Sequence, residues 1–108
     1  MKAFAALSEP TRERIVEAVA VRPRTVNEIV EMFAVSQPAI SRHLRVLREA
    51  GLVDVTSDGR NRVYRLNPRP LQELDGWLER YRRFWSGRLD ALESHMDANP
   101  DIPKERTR

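Results

Sequence analysis

The chain has 108 residues, with 19 lysines and arginines against 16 acids and no cysteine, for a formal charge of +3. That length suits one domain, small enough that pairing two copies would help it bury apolar surface. Disulfides, thiolate metal sites and thiol redox switches are excluded, and no apolar run approaches the ~20 residues of a membrane span or forms a signal-peptide core, so the expected compartment is the cytoplasm, with no membrane partner.

Met1 to Leu7 reads as a short apolar helix with Phe4 and Leu7 on one face. A helix under ~12 residues is marginal alone in water, so this one must pack on something. Ser8 is expected to cap a second helix whose first turn holds Glu9 and Pro10, a placement that suits both the helix dipole and proline's missing N–H. Ile15, Val16, Val19 and Ala20 give that helix an inner face, and Val21-Arg22-Pro23-Arg24 ends it. Arg12 and Arg14 are read as surface ions paired with Glu9 and Glu17, in preference to phosphate contacts.

The stretch from Thr25 to Leu66 carries most of the information. Thr25 and Glu28 have capping-box spacing, and Val26, Ile29, Val30 and Phe33 recur at helical intervals. Ser36 then offers a second cap with Pro38 in the first turn, so another helix starts near Gln37. Ile40, Leu44 and Leu47 form its inward stripe. Gln37, Ser41, Arg45 and Arg48 fall on the opposite side, with Arg42 at the edge. Gly51 supplies the left-handed residue that stops it. A hairpin follows, with strands Leu52 to Thr56 and Arg62 to Leu66 joined by residues 57–61, where Asp58-Gly59 signals the turn.

Two short helices, a tight joint and a basic hairpin in that order describe a winged helix-turn-helix, which lays its second helix in the major groove of DNA. Charge agrees with this placement. Residues 36–69 hold seven arginines against three acids, whereas residues 70–97 hold four against six. Positive charge therefore sits on the proposed reading segment, where it would release counterions from phosphates. His43 joins the group as a residue able to approach a phosphate; the competing reading is a packing residue at the core edge.

Ala6-Leu7-Ser8-Glu9-Pro10-Thr11-Arg12, Ser36-Gln37-Pro38-Ala39-Ile40-Ser41-Arg42-His43-Leu44 and Leu47-Arg48-Glu49-Ala50-Gly51-Leu52-Val53 resemble successive signatures of the ArsR/SmtB family of bacterial winged-helix repressors. The resemblance covers about residues 3 to 96. It implies a homodimeric repressor of double-stranded operator DNA, often answering to a metal or another signal. By that resemblance the base-contacting positions are Gln37, Ser41 and Arg42, and the wing contacts lie at the tip from Arg60 through Asn61 to Arg62. With His43 and Arg45 these residues make up the expected DNA-binding set. A two-fold dimer would require an inverted repeat with half-sites about 34 to 36 Å apart.

After the hairpin, Asn67-Pro68-Arg69-Pro70 introduces a long helix on which Leu71, Leu74, Leu78, Tyr81, Trp85, Leu89, Leu92 and Met96 recur by threes and fours. Run straight, it would span about 39 Å, more than so small a domain covers. Phe4, Leu7, Leu74, Leu78, Tyr81, Trp85, Leu89 and Leu92 are therefore assigned to a dimer interface. The expected architecture is mostly α with a small β-hairpin wing (α-α-α-α-β-β-α), one domain over residues 1–97, and a disordered tail rich in proline and charge over residues 98–108.

The resemblance also invites a search for metal ligands. Family sites use a cysteine box before the reading helix or Asp, His and Glu sets on the last helix. Here the first has neither cysteine nor histidine, and the second offers Asp75, Asp90, Glu93, His95 and Asp97. A solvated acidic face explains these residues better than an atypical carboxylate and histidine sensor site, so no metal or other cofactor is expected. No nucleophile elbow, phosphate loop or catalytic histidine and carboxylate set is present, and an enzyme is not expected. The remaining alternative is a winged-helix protein-interaction module, disfavoured because the reading face is Gln, Ser and Arg rather than aromatic. Whether a small molecule releases DNA is not written in these residues.

Overall fold

The structure, a computed structural model, describes residues 1–87. They form α1 (Lys2–Leu7), α2 (Pro10–Val21), β1 (Arg24–Thr25), α3 (Val26–Met32), α4 (Gln37–Glu49), β2 (Val53–Asp58), β3 (Asn61–Leu66) and α5 (Arg69–Glu79). The chain divides into two compact units, Met1–Leu74 and Asp75–Arg108. The expected winged helix-turn-helix is present, with one strand more than the hairpin alone.

Prolines set the helix boundaries. A residue before proline is pushed out of the α region. Glu9, ahead of Pro10, is accordingly extended (φ −96°, ψ 127°). Glu9 is therefore the cap of α2, and its carboxylate accepts a hydrogen bond from the Arg12 amide at 2.9 Å. Ser8, expected in that role, belongs to the end of α1, where its hydroxyl donates to the Ala5 carbonyl at 2.7 Å. Arg22, ahead of Pro23, is likewise extended, and α2 stops at Val21.

The core of the first unit is apolar throughout. Ile15, Ile29, Ile40, Leu44, Leu47, Leu52 and Val53 are fully enclosed, and no polar or charged residue is buried among the described residues. Each such aliphatic side chain contributes about 1.5 to 3 kcal/mol by leaving water. On α2 the buried set is Ile15, Val16, Ala18 and Val19, and Ala20 is exposed. Ala18 stands three residues from Ile15 on the same face, whereas Ala20 is turned a further 100° beyond Val19. On α1 the inward residues are Ala3 and Ala6, whose small side chains admit a close approach. Leu7 packs partly against the core, and Phe4 remains 46% exposed. Leu74, assigned above to a dimer interface, is instead 8% exposed and part of this chain's own core.

The sheet is three-stranded and antiparallel in the order β1-β3-β2. β2 and β3 pair from Val53 with Leu66 to Asp58 with Asn61, leaving only Gly59 and Arg60 in the turn. The loop is thus shorter than residues 57–61. Gly59 has φ 63°, and among the described residues none other than glycine has positive φ. Glycine therefore occupies the first central position, the type II′ arrangement. β1 pairs Arg24 with Tyr64 and Thr25 with Val63 on the other edge of β3. A two-residue strand is too short to show a periodicity, which is why the sequence does not announce it.

The last helix is not continuous. Residues 80 and 81 form a turn, and residues 82–87 are helical again. Amides of Arg80, Tyr81 and Phe84 donate to carbonyls three residues back, those of Trp77, Leu78 and Tyr81, at 3.3, 2.9 and 2.9 Å. No proline or glycine stands at the break. The tightened turn brings the Trp77 and Tyr81 rings to 5.0 Å and the Tyr81 and Phe84 rings to 6.3 Å. It also gives Arg82 two carboxylates, Glu79 at 3.0 Å and Asp75 at 3.2 Å. Leu78 and Trp85 are half-buried and Tyr81 is exposed. Leu89 and Leu92, like Met96 and the tail from 98 to 108, lie outside the described residues.

Candidate nucleic-acid interface

α3 and α4 are each begun by a side chain. The Thr25 hydroxyl accepts from the Glu28 amide at 3.2 Å while the Glu28 carboxylate accepts from the Thr25 amide at 3.0 Å. The Ser36 hydroxyl accepts from the Ala39 amide at 3.3 Å, with Pro38 in the first turn. Gly51, at φ 76°, lets the chain leave α4 and enter β2. These local devices set α4 across the first unit with Ile40, Leu44 and Leu47 inward.

Between α4, the hairpin and the start of α3 lies an open cleft of 690 Å³. α4 lines it with Gln37, Ser41, Leu44, Arg45, Arg48 and Glu49, the hairpin with Arg60, Asn61, Arg62 and Tyr64, and the start of α3 with Thr25, Val26 and Asn27. Of the residues expected to meet DNA, the structure thus brings together Gln37, Ser41, Arg45, Arg60, Asn61 and Arg62. Four arginines face one acid across this space, so it presents a strongly cationic wall.

The state of those side chains is informative. Gln37, Ser41, Arg45, Arg48 and Arg60 are exposed, and none has a side-chain hydrogen bond or ion pair among the described residues. The Arg62 guanidinium lies over the Tyr64 ring at 5.9 Å, which steers it along the hairpin without occupying its donors. A guanidinium offers five N–H donors in a planar fork suited to phosphate oxygens and to guanine edges.

Two expected residues fall outside the cleft. With 3.6 residues per turn, Arg42 projects roughly opposite the buried stripe, exposed but not on the cleft side. His43 emerges on the far side of that stripe, toward α2, where its Nδ1 lies 3.3 Å from an Arg12 nitrogen and 3.7 Å from the Glu9 carboxylate. Arg12 itself is therefore engaged inside the protein, and its side chain also donates to the Ala6 carbonyl at 2.7 Å. Arg14 stacks over the Phe33 ring at 5.0 Å and does not pair with Glu17. The arrangement of α2 against α4 decides these partners, and no pattern within either helix encodes it. Arg48, placed on the polar face of α4 by the sequence, and Asn27, unassigned beforehand, also line the cleft. Arg48 follows from helical spacing, being seven residues from Ser41; Asn27 depends on β1, which brings the start of α3 beside β3.

Among the described residues no group of three or more His, Cys, Asp or Glu side chains is arranged to hold a metal. Asp75 pairs with Arg82, and Asp90, Glu93, His95 and Asp97 lie outside the described residues. No described helix is long and apolar enough to cross a membrane.

Residues 9–55, which include both helices of the helix-turn-helix, match the family model of bacterial regulatory proteins of the arsR family. The HTH-type transcriptional regulator Rv2034 of Mycobacterium tuberculosis is 39% identical over 100 residues, covering 93% of this chain and 91% of that protein. The chain belongs to the arsR family. It is a DNA-binding transcriptional regulator with the winged helix-turn-helix of its relatives. The transcriptional repressor SdpR of Bacillus subtilis, also similar, is 35% identical over 69% of this chain and 83% of its own length. A solved structure described as a possible transcriptional regulator for arsenical resistance superposes with a TM-score of 0.69 at 38% identity, over 96% of this chain and 99% of its own. The arsR likeness thus runs through the hairpin that walls the cleft, beyond the segment that the family model matches. Its members are transcriptional regulators.

Proposed function

We propose that this arsR-family chain is a cytoplasmic homodimeric repressor that reads an inverted-repeat operator with Gln37, Ser41 and Arg45 in the major groove. Arg48, Arg60, Asn61 and Arg62 bind the flanking phosphates, and Arg42, on the solvent side of α4, contributes field rather than base reading. The observation that supports this most is that three of the four arginines lining the cleft, Arg45, Arg48 and Arg60, are exposed with no partner among the described residues, since an arginine kept only for the fold would be paired or stacked. Phosphate contacts of this kind supply affinity that falls steeply with salt, and the groove contacts supply sequence preference. Pairing of two copies is supported by the exposed Tyr81 and Phe84 near the end of the described chain.

The test is selection of bound fragments from genomic DNA by the purified chain, followed by titration on the recovered duplex at several salt concentrations. The reading requires an inverted repeat bound by two copies with a steep salt slope. A chain that stays monomeric and prefers no duplex at low ionic strength overturns it.

A further inference from the structure

Apolar contacts hold α4 in place through Ile40, Leu44 and Leu47, and a directional polar contact adds a restraint that the non-directional hydrophobic effect does not itself supply. Among the described residues, the hydrogen bonding that joins α4 to another helix runs through one side chain, His43. It stands on the flank away from the cleft, with its side chain only 21% exposed. The partner is Arg12 of α2, whose Nε donates to the Ala6 carbonyl in the last turn of α1 at 2.7 Å while another guanidinium nitrogen meets His43 Nδ1 at 3.3 Å. Glu9 completes the cluster, accepting from the Arg12 amide at 2.9 Å. A guanidinium only donates, so in this contact Nδ1 is the acceptor.

We infer that Arg12 and His43 are positioning residues for DNA recognition. Neither reaches the cleft; their contact fixes the roll of α4 against α1 and α2, and with it the direction in which Gln37, Ser41 and Arg45 point. Hydrogen bonds weaken steeply when misaligned, so one bond on the flank adds a sharp restraint on roll to that of the packed stripe of Ile40, Leu44 and Leu47. The leverage is large. A roll of about 20° at the ~5 Å side-chain radius of a helix moves a base-contacting atom by about 2 Å, enough to lose a paired hydrogen bond. The short α1, tied in through Ala6, is thereby connected to the reading helix.

This inference rests on the DNA reading above, and its test separates the two. The full chain is used to recover a preferred duplex from random-sequence DNA. The affinity ratio between that duplex and one with its preferred bases exchanged is then measured beside the urea midpoint. Arg12→Gln and His43→Ala are expected to lose about tenfold in this ratio, with binding to the exchanged duplex unchanged. The double variant should be no worse than either single one. His43→Gln, whose amide oxygen can accept from Arg12, should recover most of the ratio. Should Arg12→Gln fail to fold, the two His43 variants carry the test. An unchanged ratio with only a lower midpoint overturns the inference in favour of a purely structural role. Equal loss on both duplexes with a smaller salt slope overturns it in favour of a direct phosphate contact. A wild-type chain that recovers no preferred duplex overturns the DNA reading itself, and the inference with it.

Discussion

α3 and α4 are adjacent helices of similar make, yet their polar side chains are used in opposite ways. On α3, Glu28 closes a reciprocal cap with Thr25 and takes a 2.6 Å bond from Arg22, so its polar end is committed to the fold. On α4 the cap is a single longer bond, donated by the Ala39 amide to the Ser36 hydroxyl, and the polar face over the cleft is left without internal partners. Unpaired, exposed arginines contribute little to stability, which is why they are free to be selected for something outside the molecule. Changes to the Thr25–Glu28 cap of α3 should therefore move stability and spare recognition, and changes on the cleft face of α4 should do the reverse.

The largest effect should come from the stripe that serves both. Leu44 is 1% exposed, and Leu44→Ala is expected to remove about 2 to 5 kcal/mol of stability, read as a lower urea midpoint, with DNA binding lost in parallel. Next in size are the cleft residues. Gln37→Ala and Arg45→Ala should each flatten preference at one base pair by about 1 to 3 kcal/mol while the urea midpoint stays put. Arg60→Ala should weaken all duplexes alike and lower the salt slope by about one. A midpoint that falls with Gln37→Ala or Arg45→Ala would break the contrast between the two helices.

That contrast was partly legible before any coordinates. The caps at Thr25 and Ser36, the stripe of Ile40, Leu44 and Leu47 and the stop at Gly51 are written locally, in residues three or four apart, and the structure has them where the spacing puts them. The cleft side of α4 follows from the same periodicity. What the sequence does not carry is partnership between elements distant in the chain. His43 and Arg12 are 31 residues apart, and nothing in either helix says they meet. β1 exists only because β3 offers it an edge. The break at residues 80–81 escapes for a different reason: the apolar recurrence continues through it, and no glycine or proline marks a change from four-residue to three-residue bonding.

Smaller effects test the α3 side of the comparison. Thr25→Ala should cost about 0.5 to 2 kcal/mol of stability through the lost cap while leaving the ratio between preferred and exchanged duplexes unchanged. Acid gives a finer version of the same experiment. The bond from Arg22, then that from the Thr25 amide, holds the Glu28 carboxyl down at about 2, against an ordinary 4.5. Glu9 is lowered too, chiefly by the Arg12 amide. A carboxyl that gives up its proton more readily when folded stabilises the folded state fully above its unfolded value, and that contribution fades as pH falls from about 4.5 toward about 2. Glu28→Gln should therefore be less stable than wild type at neutral pH, with the two urea midpoints converging as pH falls through that window. Because Glu28 and Arg22 are both substantially exposed, added salt should shrink the difference at neutral pH. Parallel curves that never converge would mean that the carboxylate's charge is irrelevant to α3 and that the cap acts through its shape alone.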